Sequence, residues 1–202
     1  MNLKKLVLLL AAVVLVAGLF ACSSKQVTRV DADTQIDLSG YWNATDSRLT
    51  ADQMIAESFA SPWIDNFVKA NNRQPVVIIG TIVNRSEEHI PINTFVSDLQ
   101  RALVNSGRVI FVATAAQREE LRAERGDQTV NASTQTANAA GNETAADFML
   151  KGQINTIFDS GSGAQVKFYQ VDLELISIAT NQTVWMGQKK IQKVVSRRAF
   201  RP

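Results

Sequence analysis

The chain has 202 residues, 46% hydrophobic and 20% charged, with 21 Lys+Arg against 19 Asp+Glu, one His and one Cys. This globular composition excludes collagenous, disordered and strongly acidic classes, and a single Cys excludes an intrachain disulfide scaffold. Only Leu6–Ala21 approaches the roughly 20 apolar residues of a spanning helix, which excludes a multi-span membrane protein.

Met1-Asn2-Leu3-Lys4-Lys5 is a cationic start, Leu6–Ala21 carries no charge, and two small or apolar residues, Phe20 and Ala21, precede Cys22. This order predicts a secretory signal over residues 1–21. The run Leu19-Phe20-Ala21-Cys22 resembles a bacterial lipobox, which implies cleavage after Ala21 and acylation of Cys22; the alternative is an ordinary signal with an incidental Cys. One acyl chain binds a membrane only reversibly, whereas several anchor it. Ser23 and Ser24 follow, with no Asp in the second position, which favours the outer membrane where there are two.

Lys4 and Lys5 lie in the signal, so the mature chain has 19 basic and 19 acidic residues. That balance argues against nucleic acid as a partner. The charge is uneven: Gly187–Pro202 holds Lys189, Lys190, Lys193, Arg197, Arg198 and Arg201 and no acid.

Residues 22–37 read as the lipidated Cys and a polar tether. Its 15 residues after Cys22 reach at most roughly 54 Å. A globular domain follows over 38–196, then a basic tail over 197–202. Thr50 and Gln53 have capping-box form and predict a helix bearing Met54, Ile55 and Phe59. Ser61-Pro62 restarts a helix with Trp63, Ile64, Phe67 and Val68 at helical spacing. Val76–Val83 is a β-branched run, as in a strand buried on both faces. Asn84–Pro91 is a polar loop, and Asn93 is read as the cap of a helix with Phe95, Leu99 and Leu103 inward. Val109–Val112 predicts a short buried strand. Thr114 and Gln117 form another capping box, opening a charged helix to about Arg125, and Gly126–Thr144 is polar with at most a weak helix. Three strands follow, Phe148–Phe158, Val166–Ile178 and Val184–Val195. A tight turn at Ser160–Gly163 joins the first two, and Thr180–Gln182 joins the last two. Tyr169, Val171, Leu173 and Leu175 alternate with polar neighbours, so one face is core and one wet. The pattern predicts one α/β domain, a mixed sheet of four to five strands flanked by helices.

Catalysis finds little support. His89 is the only histidine, and no nucleophile elbow or phosphate loop accompanies it. Asp31, Asp33 and Gln35 faintly suggest a calcium loop, but the twelfth position is Trp42 rather than Glu. No catalytic residue, metal or cofactor is expected.

Several segments, taken in order, carry a family likeness: Asp37–Arg48, Pro75–Gly80, Asn84–Ile90, Ala146–Gly152, Phe168–Val171 and Val184–Gly187. Together they resemble the LpoB-like lipoproteins, activators of penicillin-binding proteins. The resemblance implies an outer-membrane lipoprotein facing the periplasm, with a head like the TolB N-terminal domain. Such a head docks on a bifunctional penicillin-binding protein, a peptidoglycan synthase; a monomer is expected. The best-known members have a long, Pro-rich tether, whereas this one is short and has no Pro.

Asn84, Arg85, Ser86, Glu88 and His89 form a charged loop after a buried strand, and such loops carry recognition on rigid scaffolds. The alternative is that their side chains bond neighbouring backbone. Asp46 and Arg48 admit the same two readings, with capping the stronger for Asp46. The C-terminal basic run admits binding of anionic lipid, glycan-linked acid or an acidic partner, but Lys189, Lys190 and Lys193 read better as edge-strand charges that block pairing, with Arg197–Arg201 left open between the two. Trp42, Trp63 and Trp185 read as core. The rival function is a structural subunit of an envelope or secretion assembly, for which Phe148–Phe158 and Val166–Ile178 are long enough, although Lys151, Gln153, Asn155 and Lys167 suit a half-wet sheet better. A cell-wall hydrolase would need His89.

Overall fold

The first helix begins where the backbone can close its own N-terminus. Asn43 is extended, its side chain accepts from the Asp46 amide, and the Asp46 carboxylate accepts from the Asn43 amide. That reciprocal box starts α1 (Ala44–Ala60) a turn and a half before Thr50. The Thr50 cap is therefore corrected: Thr50 is inside the helix and fully buried. The computed structural model describes residues 27–31, 34–138, 141–161 and 163–196. The signal peptide, Cys22 and the tail 197–202 lie outside the described residues. The described residues from Gln35 to Ser196 form one compact unit; those before it are exposed and irregular, with a Thr34-to-Asp31 turn bond.

A break at Ser61-Pro62 leads into α2 (Trp63–Asn71), which ends on Asn72 in the left-handed region. Trp63 and Phe67 both meet Phe148 edge-on, at 5.1 and 5.3 Å. β1 (Val76–Asn84) is buried along its first four residues. The next helix, α3 (Ile92–Asn105), starts at Ile92 after Pro91, not from an Asn93 cap, and turns Phe95, Leu99 and Leu103 into the core. The pyrrolidine of Pro91 sets the entry angle, so no side-chain cap is used.

β2 shrinks to Ile110–Phe111 at the sheet's edge, and Ile110 is exposed, against the four-residue buried strand expected. Thr114 does cap α4 (Ala115–Asn131) with Gln117. The helix runs six residues past Arg125 and buries none of its residues. Arg122 and Arg125 tie it to Glu143 at 2.8 Å each.

Three long strands complete the sheet: β3 (Phe148–Gly161), β4 (Ala164–Ser177) and β5 (Thr183–Ser196). The order is β2-β1-β3-β4-β5, with β1 parallel to β2 and β3, and β3-β4-β5 an antiparallel meander. Gly161 pairs with Ala164, and Gly163 has φ +92, as a two-residue hairpin requires. The architecture is the expected mixed α/β domain, with five strands and, among the described residues, four helices. Its core lies between one sheet face (Ile79, Leu150, Ile154, Tyr169, Leu173) and the inward sides of α1 and α3. On the other face Asn155, Gln170 and Gln188 donate to Asp172, so β3 and β4 pair a core face with a polar one.

Candidate functional site

The candidate site is at the sheet end where β1 leaves, α1 enters, and β4 and β5 run side by side. Strand alternation puts Lys167 on the face of β4 that carries Tyr169 and Val171, so it points toward the core and is 5% exposed. Lys193 of β5 is its cross-strand partner. Two like charges directly opposite repel and cost stability unless each finds an acid. Three segments supply those acids.

The first is the loop after β1. The Arg85 amide donates to the Ile154 carbonyl and extends the ladder by one bond. Asn84 then folds the loop back: its carbonyl oxygen accepts from the Ser86 amide at 2.9 Å, and its NH2 donates to the Glu88 carbonyl at 2.7 Å. This turn aims Glu88 inward, where Oε1 lies 2.6 Å from Lys167 Nζ and Oε2 accepts from the Tyr169 hydroxyl at 2.7 Å. Burial, and then the Glu88 carboxylate, push the Tyr169 phenol far above its ordinary value, so it stays a donor.

The second and third segments hold Lys193. Its Nζ lies 2.6 Å from both Asp37 and Asp46, and 3.1 Å from the Tyr41 carbonyl. Burial opposes the charge on Lys193, but the Asp37 and Asp46 carboxylates outweigh it and raise the ammonium above its ordinary value. The hydrogen bond from Lys193 correspondingly lowers Asp37. Tyr41 covers the other lysine, with its ring centroid 3.1 Å from Lys167 Nζ.

Beside these pairs lies an open cleft of about 900 Å³, lined by Tyr41, Trp42, Arg85, Glu87, His89 and Phe158 among others. Arg85, Glu87 and His89 are exposed.

The sequence-predicted residues thus divide. Asn84 and Ser86 shape the loop, and Glu88 pairs inside. Arg85 and His89 face outward on the rim. Asp46 caps α1 and holds Lys193, and Arg48, half-buried in α1, does not line the cleft. Lys193 does lie on the edge strand β5, but its ammonium turns inward onto Asp37 and Asp46 instead of standing free at the edge. Sequence reasoning missed Lys167, Tyr169, Tyr41 and Asp37 as site members. The available signal was a Lys in phase with Tyr169, Val171 and Leu173. Among the described residues no group of His, Cys, Asp or Glu is placed to hold a metal ion.

Fold and site define a mixed α/β domain that presents a charged, rigidly braced loop at one end of its sheet. The family model "Peptidoglycan-synthase activator LpoB" matches residues 46–191, and the chain belongs to that family. Its members are regulatory activators rather than enzymes, and so is this chain. Similar solved structures include the LpoB C-terminal domain from Salmonella enterica (14% identity, 73% of this chain and 99% of that one, TM-score 0.43). The LpoB C-terminal domain from Escherichia coli (14%, 71% and 98%, 0.40) and lipoprotein GNA1162 from Neisseria meningitidis (13%, 62% and 88%, 0.40) are also similar. No curated protein matches the chain. No helix among the described residues is long and apolar enough to cross a membrane.

Proposed function

We propose that this chain is an outer-membrane lipoprotein, anchored through acylated Cys22, whose head faces the periplasm and activates a bifunctional penicillin-binding protein by binding it. The family match over residues 46–191 carries the reading. The lipobox-like Leu19–Cys22 run supports the anchor. The docking surface is the cleft rim, with Arg85, Glu87 and His89 as contacts. The loop beneath them is braced by Asn84 and by the Glu88–Lys167 pair, which keeps the rim preorganised and lowers the ordering cost of binding.

Activation is a population shift. The head binds the active synthase conformation better than the inactive one, and each 1.4 kcal/mol of that difference moves the equilibrium about tenfold. The test is to add the acylated chain to its purified cognate synthase and follow binding and glycan polymerisation. Binding with a rise in polymerisation supports the reading; neither overturns it.

A further inference from the structure

Tyr41, one of the residues lining the cleft, ends the stretch through which the head joins the chain that precedes it. Asp37–Tyr41 crosses the ends of β4 and β5 before Trp42 enters the core. Polar contacts hold it: Asp37 and the Tyr41 carbonyl on Lys193, Asn43 Nδ2 on Asp37 at 2.7 Å, and the Gly40 carbonyl 3.2 Å from the Tyr169 hydroxyl. Gly40, at φ +70, lets the chain lie so close to β5 that an added Cβ would sit 2.3 Å from Val195 Cγ2. Apolar burial contributes little, since Leu38 is 93% and Tyr41 56% exposed, whereas Trp42 is 8% exposed and fixed among Phe95 and Tyr169. Segments held this way open more cheaply than core elements. The closed arrangement also leaves Trp42 Nε1 and Thr156 Oγ1 buried without a hydrogen-bond partner, and both residues line the cleft. Unpaired buried polar atoms work against the state that contains them.

We propose that Asp37–Tyr41 is an autoinhibitory strap. Closed, it occupies Lys193 and Tyr169; lifted about Trp42, it extends the cleft onto those two side chains and admits an extended segment of the synthase. The strap's own chemistry defines that segment. It carries an acidic side chain to take the place of Asp37 on Lys193, and a backbone carbonyl for the Trp42 indole. The strap is the first part of the head that the N-terminal tether pulls, so a stretched tether favours the open, binding form. This inference rests on the reading that the cleft docks a synthase.

The test locks the strap. The Gly40 Cβ position is 3.9 Å from Val195 Cβ, inside the range of about 3.5–4.5 Å that a disulfide requires. A Gly40→Cys/Val195→Cys chain, with Cys22 replaced by Ser, is compared oxidised and reduced for synthase affinity and stimulated glycan polymerisation, with bond formation checked by thiol titration. Asp37→Asn, which loosens the strap at its far end, is compared with the unsubstituted chain. The expected result is at least tenfold weaker binding when oxidised, recovery on reduction, and several-fold tighter binding by Asp37→Asn. Equal affinity of the oxidised and reduced forms, with both binding, overturns the strap and leaves the docking reading intact. If the unsubstituted chain does not bind at all, both fall. Should the double-cysteine chain fail to fold, Asp37→Asn decides: affinity equal to that of the unsubstituted chain overturns the strap.

Discussion

Lys167 and Lys193 stand directly opposite each other across β4 and β5, on the face of the sheet that packs against the core. Their mutual repulsion is answered by Glu88 from the loop after β1, Asp37 from the entering chain and Asp46 from the first turn of α1. Segments distant in sequence are thereby gathered around one pair of ammonium groups. Removing one member of such a buried set leaves the others uncompensated. Lys167→Met strands Glu88 and is expected to cost about 3 kcal/mol, with part recovered in Lys167→Met/Glu88→Gln. Urea denaturation of the two single variants and the double variant checks this; additive losses would contradict it.

Asn43 rather than Thr50 caps α1, so the two positions respond oppositely. Asn43→Ala is expected to destabilise by about 1 kcal/mol. Thr50→Val removes a buried hydroxyl that has no partner and is expected to be neutral or stabilising. Thermal unfolding of both variants separates the cases.

Which features were legible in the sequence follows from the range of the interactions behind them. The period-2 alternation of Tyr169, Val171, Leu173 and Leu175 and the Thr114–Gln117 box act within a few residues, and each appears where expected. Asn43-Ala-Thr-Asp46 was also local, but Thr50–Gln53 matches the Ser/Thr-x-x-Glu/Gln form more closely and drew the helix start to itself. Lys167 was not legible as a site residue because its partner Glu88 is 79 positions away, and only the folded sheet brings them together. The inward pairing of Lys193, on an edge strand as expected, was not legible for the same reason: its acids are 156 and 147 positions distant. The rim residues Arg85 and His89 were legible as a charged loop.

Two glycines are expected to differ. Gly152 lies in β3, where an added Cβ would meet the Asp172 carbonyl at 2.4 Å and Leu173 at the same distance. Gly152→Ala therefore displaces backbone and is expected to cost at least about 2 kcal/mol. Gly126 is in the interior of α4 with nothing within 4 Å of its added Cβ. Gly126→Ala is expected to stabilise α4 by about 0.5–1 kcal/mol. Helicity and melting temperature check both.

Acid should release α4 before the rest of the domain. The Arg122 guanidinium first, then Arg125, hold Glu143 down to about 2 from an ordinary 4.5. A carboxylate lowered in the folded state binds protons first in the unfolded state. Its contribution is therefore complete above pH 4.5, declines as the pH falls, and is gone below about 2. Hydrogen-exchange protection over residues 115–131, taken relative to the intrinsic amide rate at each pH, is expected to fall in that window and to fall further with salt. Unchanged protection down to pH 2 would contradict the tie.

On the proposed function, the head works by touching a synthase. The most direct measurement titrates the acylated chain, and its Arg85→Ala/His89→Ala variant, into the purified cognate penicillin-binding protein while recording binding and glycan polymerisation together. Saturable binding with a parallel rise in polymerisation is expected. In the variant, binding weakens by at least 1 kcal/mol, about fivefold, with the fold intact. A chain that neither binds nor stimulates the enzyme would contradict it.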